Sequence, residues 1–203
     1  LGFAGLLKRS RNMDAEEREN LALIEDAARR AADLTGRLLS FSRGGLVRFG
    51  RVDLRTVAED TLQLAEPTLH AKLVVTRSLP DVPVLVEGDA GQLQQALTNI
   101  VLNARDAMPE GGSIELSLEV EGPLAVLRIT DSGPGMDAET RMRIFEPFYT
   151  TKKPGEGLGL GLAISAGFAG ELGGRLVARN APDGGAVFEL LLPSDRAQSQ
   201  AAE

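Results

Sequence analysis

The sequence predicts an α+β protein in which an α-helical hairpin precedes a two-layer sandwich of helices packed on a sheet. Between residues 15 and 43, apolar residues recur in steps of three and four, which is typical of a long amphipathic helix. After residue 52, helical and strand patterns are mixed without strict alternation. This mixture favours a two-layer α+β arrangement over a doubly wound parallel sheet.

The first region, residues 1–45, is predicted to be the helical hairpin. Its opening stretch, LGFAGLLKRSRN, has the pattern of the end of an amphipathic helix with no cap before it, so we expect a chain cut inside a helix. The following helix ends at Gly44 and Gly45. Because one hairpin buries little apolar surface, we expect two copies to form a dimeric four-helix bundle. The alternative is a helix packed on the chain's own C-terminal domain.

The remaining sequence divides into a linker at residues 46–51, a main domain at residues 52–193 and a polar tail at residues 194–203. Helical patterns in the main domain cover residues 54–69, 89–108, 137–145 and 158–172. Strand patterns cover residues 73–79, 84–86, 113–120, 124–130, 175–180 and 186–192. The stretch 113–120 alternates polar and apolar residues, as a half-buried strand does, and residues 149–157 are a polar, glycine-containing loop.

The composition excludes several classes of function. The formal net charge of −7 argues against nucleic-acid binding through a basic surface. The chain has no cysteine and one histidine, His70, which excludes disulfides, a cysteine nucleophile and a multi-histidine metal site. No apolar run approaches the roughly 20 residues that a membrane span needs. These features fit a cytoplasmic protein, or the cytosolic part of a larger membrane protein.

Polar side chains form one stripe along the predicted helix at residues 89–108. Gln92, Gln95, Asn99, Asn103 and Asp106 follow one another in steps of three or four, so they project from the same side. Asparagine is a poor helix former, and a solvated face is the plain explanation for two of them in mid-helix. The alternative is a Mg²⁺ site, because this ion prefers oxygen ligands and takes others from phosphate.

Two glycine-rich segments follow that helix. The first, DSGPGM, begins with Asp131 directly after the apolar run at residues 124–130, so a buried strand ends on a carboxylate. The second, YTTKKPGEGLGLG, starts at Tyr149 and opens a helix, where free backbone N–H groups bind anions. Flexible surface loops share this composition. Its position before an apolar helix and after the acidic turn favours a phosphate site.

Five segments occur in order: NIVLNARDAM, DSGPGM, RIFEPFYTTK, GEGLGLGL and DGGAVFELLLP. Together they resemble the N, first glycine, phenylalanine, second glycine and third glycine boxes of the bacterial sensor histidine kinases, which share a superfamily with gyrase, Hsp90 and MutL. The resemblance covers residues 52–193 and implies the Bergerat type of ATP-binding sandwich. The hairpin, which ends in LLSFSR, resembles the dimerisation and phosphotransfer domain of the same kinases.

The resemblance implies a binding site for ATP and Mg²⁺. Asp131 is expected to accept a hydrogen bond from the exocyclic amine of adenine, and Asn103 to ligate Mg²⁺. Phe145 and Phe148 resemble the hinge of a mobile lid at residues 150–157. Asp106 departs from the basic residue that many of these kinases carry. The expected nucleotide-binding residues are Asn99, Asn103, Asp106, Asp131, Gly133, Gly135, Phe148, Thr151, Lys152, Gly157, Leu158, Gly159, Leu160, Gly161 and Gly185.

The resemblance also implies the reaction. Hydrolytic relatives carry a glutamate where this chain has Asn99, and an amide cannot act as a general base. We therefore expect a protein-histidine kinase that transfers the γ-phosphoryl group to a histidine, for relay to an aspartate on a response-regulator receiver domain. The hairpin contains no histidine, so this chain should bind ATP without phosphorylating itself, and His70 should be structural. The alternatives are an acceptor-less regulatory module that dimerises and controls a partner, and an ATPase of the gyrase and MutL kind.

Overall fold

The structure, a computed structural model, describes residues 49–153 and 157–194. These residues lie in one structural unit of the chain, distinct from the unit that contains residues 1–47. The predicted helical hairpin lies outside the described residues, as do residues 154–156 of the predicted lid and residues 195–203 of the predicted tail.

Strands and helices within these residues follow the patterns of the sequence. The strands are β1 (Gly50–Asp53), β2 (Leu73–Ser78), β3 (Leu85–Gly88), β4 (Gly112–Glu121), β5 (Leu124–Asp131), β6 (Arg175–Asn180) and β7 (Ala186–Pro193). The helices are α1 (Leu54–Ala65), α2 (Ala90–Ala107), α3 (Ala138–Arg143) and α4 (Gly161–Glu171), with a 3₁₀ turn at Glu66–Thr68. Among the residues that the structure describes, no helix combines the length and the apolar character that a membrane crossing requires.

Three of the helices begin at an aspartate that caps the helix N-terminus. Asp53, Asp89 and Asp137 stand at the N-caps of α1, α2 and α3, and each carboxylate accepts a hydrogen bond from a backbone N–H of the first turn. An aspartate at this position satisfies one of the donors that the helix leaves unpaired. These caps fix where α1, α2 and α3 begin.

A five-stranded mixed sheet forms one layer, in the order β2-β4-β5-β7-β6. β2 is parallel to β4, and the other neighbours are antiparallel. β1 and β3 form a separate antiparallel pair. Along β4, Ile114, Leu116 and Leu118 are buried whereas Glu115 and Glu119 are exposed. This alternation shows that one face of the sheet packs on the core and the other faces solvent.

The helix α2 lies at the centre of the core and contacts both α1 and α4. Its opposite stripe, with Asn99, Asn103 and Asp106, is left at the edge of the core, where polar groups remain accessible. The buried apolar residues of α2 recur at helical spacing: Leu93, Ala96, Leu97, Ile100, Val101 and Ala104.

The predicted fold class is confirmed, but several boundaries differ. β1 begins at Gly50, inside the stretch predicted to be linker. The helix predicted to reach residue 69 ends at Ala65 and continues as a 3₁₀ turn, because Pro67 has no N–H to donate. The helix predicted from residue 158 begins at Gly161, because Gly159 has a φ of 64°, which an α-helix does not accommodate. Ser194, predicted to open the frayed tail, is buried and bridges to β3.

Candidate functional site

Asn99 joins the middle of α2 to the start of α4. Its Nδ2 donates to the Gly161 carbonyl oxygen at 3.1 Å and to Ser165 Oγ at 3.2 Å. Its Oδ1 accepts from Gln95 Nε2 at 3.1 Å. A Cβ on Gly161 would lie 3.3 Å from Asn99 Cγ, so a glycine permits this close approach. Both polar atoms of the amide are used within the protein, which gives this mid-helix asparagine a reason other than solvation.

Lys152, in the loop after α3, reaches the next turns of α2. Its Nζ donates to Asn103 Oδ1 at 3.3 Å and to Asp106 Oδ2 at 2.5 Å. The other oxygen of Asp106 accepts from Arg105 Nε at 2.8 Å and from Arg105 Nη2 at 2.6 Å. Burial raises the pKa of Asp106, but hydrogen bonds from Lys152 and Arg105 outweigh it and hold the pKa of this carboxyl below its ordinary value. Asp106 is therefore a carboxylate between two cations.

Asp131 ends β5 on the face of the strand that packs against the helices. Ala125, Leu127 and Ile129 precede it at every second position and are buried, so strand alternation carries the carboxylate to the same face. Its Oδ1 accepts from Gly133 N at 2.9 Å and from Ala186 N at 3.2 Å. Within the described residues both hydrogen bonds fall on Oδ1, so Oδ2 keeps its lone pairs for another donor.

Burial is the largest influence on the pKa of the Asp131 carboxyl. It raises the pKa of the Asp131 carboxyl, while the hydrogen bonds from the Gly133 and Ala186 backbone oppose the rise. The net direction is upward, so ionising Asp131 is harder than ionising an exposed aspartate. An aspartate at a buried position that disfavours its ionisation indicates a function that needs a carboxylate.

Glycines let the chain pass close to Asp131 and to the end of α2. Gly185 has a φ of 89°, and a Cβ there would overlap the Asp131 carbonyl oxygen. A Cβ on Gly133 would lie 2.8 Å from Asp131 Oδ1 and 3.3 Å from Met108 Cγ. The acidic turn therefore runs directly beside the C-terminal end of α2, the helix that also carries Asn103.

The sequence analysis missed Asn180, the last residue of β6. Its Oδ1 accepts from Met136 N at 2.8 Å, and its Nδ2 donates to Met136 O at 2.7 Å. A Cβ on Gly135, whose φ is 74°, would lie 3.2 Å from Asn180 Oδ1. One side-chain amide therefore anchors the far end of the DSGPGM turn to the sheet. The sequence signal was only an asparagine at a strand end, which ordinary turn chemistry explains equally well.

The second glycine segment enters α4 without a side-chain cap. Leu160 stands at the N-cap and is buried, and its side chain accepts no hydrogen bond from the first turn. The first N–H groups of α4 are therefore available to an anion. A Cβ on Gly159 would overlap the Tyr149 carbonyl oxygen, and Phe148 N donates to Gly159 O at 2.9 Å. The two ends of the lid segment thus meet at Gly159, next to the half-exposed Leu158.

The predicted hinge and lid residues differ in how they are held. Phe145 packs against the core. Phe148 is 66% exposed and has a φ of 68°, a left-handed conformation that bulky residues rarely adopt. Thr151 is exposed, and a Cβ on Gly157 would lie 3.2 Å from Lys152 Cδ. Within the described residues Phe148 is the one non-glycine residue with a positive φ, and it lies where the loop leaves the folded core.

His70 contacts the end of α2. Its Nε2 is 3.0 Å from the Met108 carbonyl oxygen, at the end of α2. This contact ties the segment before β2 to the C-terminal end of the helix. It supports the structural role predicted for this histidine.

The metal-binding potential of the site depends on oxygen donors. Within residues 49–153 and 157–194 there is no cluster of three or more histidine, aspartate or glutamate side chains suited to a metal. Asn103 and Asp106 nevertheless present an amide and a carboxylate oxygen that already hold an ammonium cation. The amide oxygen of Asn103 fits Mg²⁺ when phosphate oxygens supply further ligands, which is how this ion is often bound.

Comparison with known proteins places these features in a family. Residues 88–196 match the model described as histidine kinase-, DNA gyrase B- and HSP90-like ATPase. The match covers more than half of the 203 residues and includes α2, both glycine segments and β7. The chain belongs to this family.

Proteins similar to this chain include sensor kinases. It is 37% identical over 195 residues to the C4-dicarboxylate transport sensor protein DctB of Pseudomonas aeruginosa, which covers 93% of this chain and 31% of DctB. The mycobacterial sensor histidine kinase MprB has a TM-score of 0.64 and 28% identity, over 72% of this chain and 97% of that one. Full-length ShkA in complex with AMPPNP has a TM-score of 0.77 and 26% identity, over 96% of this chain and 42% of that one. The predicted resemblance to sensor histidine kinases is confirmed.

Proposed function

We propose that this chain contains the catalytic region of a two-component sensor kinase, which binds ATP with Mg²⁺ and transfers the γ-phosphoryl group to a protein histidine. The observation that carries the proposal is the Asp131 carboxylate. It is buried at a strand end and held through one oxygen by two backbone N–H groups, with the other oxygen available. Membership of the ATPase family supports a nucleotide as the ligand.

Asp131 is proposed to read the base. Its Oδ2 accepts a hydrogen bond from the exocyclic amine of adenine, whereas the carbonyl of guanine at the same place would set two acceptors against each other. Gly133 and Gly135 leave no side chain between the turn and the ring. Asn180, through Met136, holds that turn in place.

The polyphosphate is proposed to lie between the start of α4 and the polar stripe of α2. The uncapped N–H groups after Leu160 donate to phosphate oxygens, and Lys152 adds a cation. Asn103 is the residue that would hold Mg²⁺. When bound, the ion neutralises charge that develops on the phosphates. The protein's own contribution is to bind and orient the nucleotide.

Asn99 favours transfer over hydrolysis. A hydrolase needs a base beside the γ-phosphate to orient and deprotonate water, and an amide cannot take the proton. Here the Asn99 amide is also occupied by Gly161 and Ser165. Water therefore has no activating group at this position, and the nucleotide persists until another nucleophile arrives. The proposed nucleophile is a histidine outside this sequence, because the single histidine, His70, is bonded to Met108.

The partners are proposed on the same grounds. The phosphorylated histidine would pass its phosphoryl group to an aspartate on a response-regulator receiver domain. Residues 1–45 are proposed to form the dimerisation hairpin, and the catalytic region to work in the cytoplasm, whether or not the parent protein is anchored in a membrane. Each of these proposals follows from the resemblance to sensor histidine kinases.

The test is to follow the label of γ-labelled ATP in the presence of Mg²⁺, after measuring nucleotide affinity by calorimetry. We expect ATP to bind and the label to stay almost wholly on ATP. Failure of ATP to bind would overturn the proposal. Steady release of labelled phosphate would favour the hydrolase, and an acid-labile label on the protein would identify His70 as an acceptor. Asp131→Ala is the control, because it should lose nucleotide binding.

A further inference from the structure

The ammonium of Lys152 donates to Asn103 Oδ1, the oxygen that is proposed to bind Mg²⁺. Its Nζ lies 3.3 Å from Asn103 Oδ1 and 2.5 Å from Asp106 Oδ2. An amide oxygen and a carboxylate oxygen from successive turns of α2 thus converge on one cation. Lys152 is also the cation proposed to contact phosphate. The ammonium can therefore bind either the Asn103 and Asp106 oxygens or a phosphate, and the structure shows the first of these contacts.

Asp106 has no evident structural reason for its place. It is the penultimate residue of α2, where a negative charge opposes the partial negative charge of the helix end. Alanine would suit this position better for helix formation. Arg105 already neutralises one Asp106 oxygen, and the second oxygen is turned to Lys152. The carboxylate is therefore explained by what it holds and not by helix stability.

The ion pair is of a kind that exchanges readily. The side chains of Lys152 and Asp106 are both 29% exposed, so water screens their attraction. A polyphosphate with several charges is a stronger partner for an ammonium than one half-exposed carboxylate. Mg²⁺ in turn binds amide oxygen more strongly than an ammonium does at 3.3 Å. Arrival of both would displace Lys152 from Asn103 and give it a phosphate contact.

We propose that Asp106 is a positioning residue that holds Lys152 on the metal-binding asparagine until Mg²⁺ and nucleotide take their places. This inference rests on the proposed function, because it assumes that Asn103 and Lys152 serve nucleotide binding. It assigns Asp106 a role that a basic residue at this position could not perform. Asp106 competes with phosphate for Lys152, so removing the carboxylate strengthens nucleotide binding. A direct contact between Asp106 and the metal or nucleotide requires the opposite sign.

The experiment compares Asp106→Ala, Lys152→Met and the double variant of the full chain. ADP affinity is measured by calorimetry with and without Mg²⁺. Asp106→Ala should bind ADP about two- to fivefold more tightly, the range set by a half-exposed ion pair. Lys152→Met should bind about tenfold more weakly, because a charge-assisted bond is lost. In the Lys152→Met background, Asp106→Ala should have no further effect beyond that of the control Glu119→Gln, which removes one negative charge from β4.

A second readout needs no nucleotide. The chain contains one tyrosine and no tryptophan, so its intrinsic fluorescence comes from Tyr149, three residues from Lys152. The ring of Tyr149 lies 4.5 Å from the Arg143 guanidinium, and its hydroxyl donates to Thr140 at 3.1 Å. Release of Lys152 in Asp106→Ala should lower the fluorescence anisotropy of Tyr149 below that of wild type without nucleotide.

The outcomes separate this inference from the proposed function. If wild type does not bind ADP, the proposed function fails. If wild type binds ADP and Asp106→Ala binds it more weakly, Asp106 contacts the ligand and the inference is wrong while the function stands. An anisotropy unchanged by Asp106→Ala would also overturn the inference. Tighter binding that depends on Lys152, together with lower anisotropy, would establish it.

Discussion

At the scale of single residues, Asp131 shows a conflict between stability and recognition. Burial raises the pKa of its carboxyl, despite hydrogen bonds from Gly133 and Ala186. A raised folded-state pKa means that the folded protein binds this proton more tightly than the unfolded chain does. Stability from this group is therefore fully present below the unfolded-state pKa and is lost as the pH rises through the folded-state pKa. At neutral pH the acid is kept at a cost in stability, which the proposed base recognition would explain.

Asp131→Asn should separate the two effects. The amide oxygen can accept the same two backbone hydrogen bonds, while Nδ2 replaces the free oxygen by a donor. We expect a thermal unfolding midpoint at pH 7 equal to or above that of wild type. Affinity for ADP should fall by about tenfold or more, because two donors then face each other. Affinity for GDP should rise relative to ADP, since guanine presents a carbonyl there.

Calorimetry with both nucleotides measures this exchange of preference. Asp183→Asn is the matched control, because it makes the same chemical change in a turn before β7 and should leave both affinities alone. Unchanged ADP affinity in Asp131→Asn would remove the base-reading role from this residue. A lower unfolding midpoint at pH 7 would show that the charge is stabilising and that burial is not the dominant influence.

Asn180 offers a second residue-scale prediction, since its amide both donates to and accepts from Met136. Asn180→Asp keeps the acceptor but sets a carboxylate against the Met136 carbonyl, and Asn180→Ala removes both bonds. We expect ADP affinity to fall about three- to tenfold, with aspartate the more harmful replacement. Hydrogen exchange at the Met136 amide should accelerate in Asn180→Ala, which removes the acceptor of that N–H. Arg179→Gln, one residue earlier on β6, is the control. Weaker binding with unchanged Met136 exchange would contradict a positioning role.

At the scale of elements, the junction of β5 and β7 requires a glycine for two reasons that can be measured apart. Gly184 and Gly185 both have positive φ values, 97° and 89°. A Cβ on Gly184 meets nothing within 4 Å, whereas one on Gly185 overlaps the Asp131 carbonyl oxygen. Gly184→Ala should cost about 1 kcal/mol of the free energy of unfolding, from backbone strain alone. Gly185→Ala should cost about 3 kcal/mol or more, because strain and overlap add.

Urea unfolding of the two alanine variants tests this difference. Gly185→Ala should also weaken ADP binding, because Ala186 N bonds to Asp131 Oδ1. Equal losses of stability in the two variants would mean that residue 185 is a glycine because of its backbone conformation, and not because of the close approach of the strands. Weakened ADP binding in Gly184→Ala as well would point to the turn itself as part of the site.

Elements with strong local periodicity were predictable from the sequence. The stripe of α2 and the apolar run of β5 repeat over many residues, and both lie within a few residues of their predicted bounds. The charged end of β5 at Asp131 was likewise visible. β1 was not, because four residues carry little pattern and this strand exists through pairing with β3. Short strands depend on partners that are distant in sequence.

Contacts between distant segments were the other part that the sequence did not reveal. The pattern placed Asn99, Asn103 and Asp106 on one side of a helix, but not the loop that meets them. Lys152 lies 49 residues from Asn103 along the chain, and Asn180 lies 44 residues from Met136. Such pairs form only once the sheet and helices have packed, so no local rule indicates them.

At the scale of the whole described unit, the sheet separates a network of ion pairs on its solvent face from the buried Asp131 on its helix-facing side. Arg128 lies on β5 between Leu127 and Ile129, so it points to the solvent face, where it pairs with Glu119, Glu121 and Glu189. Asp131 lies on the opposite, helix-facing side. The solvent-face network therefore lies on the other side of the sheet from Asp131, which makes Glu119 a suitable control position for charge changes.

The proposed preference for transfer over hydrolysis rests on Asn99, which also joins α2 to α4. In wild type the Asn99 amide donates to Gly161 O and to Ser165 Oγ. Asn99→Glu would introduce the base that hydrolases use, but it would also set a carboxylate against the Gly161 carbonyl. We expect a loss of about 1–3 kcal/mol in the free energy of unfolding, from the unpaired groups. We expect no large gain in phosphate release, because the helix junction proposed to place the γ-phosphate is disturbed.

Thermal unfolding and a phosphate-release assay with Mg²⁺ and ATP measure the two effects together. Ser165→Ala is the matched control: it removes one acceptor of Asn99 but keeps the bond to Gly161, so its cost should be smaller, at about 1 kcal/mol. Fast hydrolysis by Asn99→Glu would show that the missing base alone separates this protein from the hydrolytic members of its family. Slow hydrolysis with a destabilised junction would show that Asn99 is needed first as the tie between α2 and α4, and that substrate orientation by the two helices precedes any choice of nucleophile.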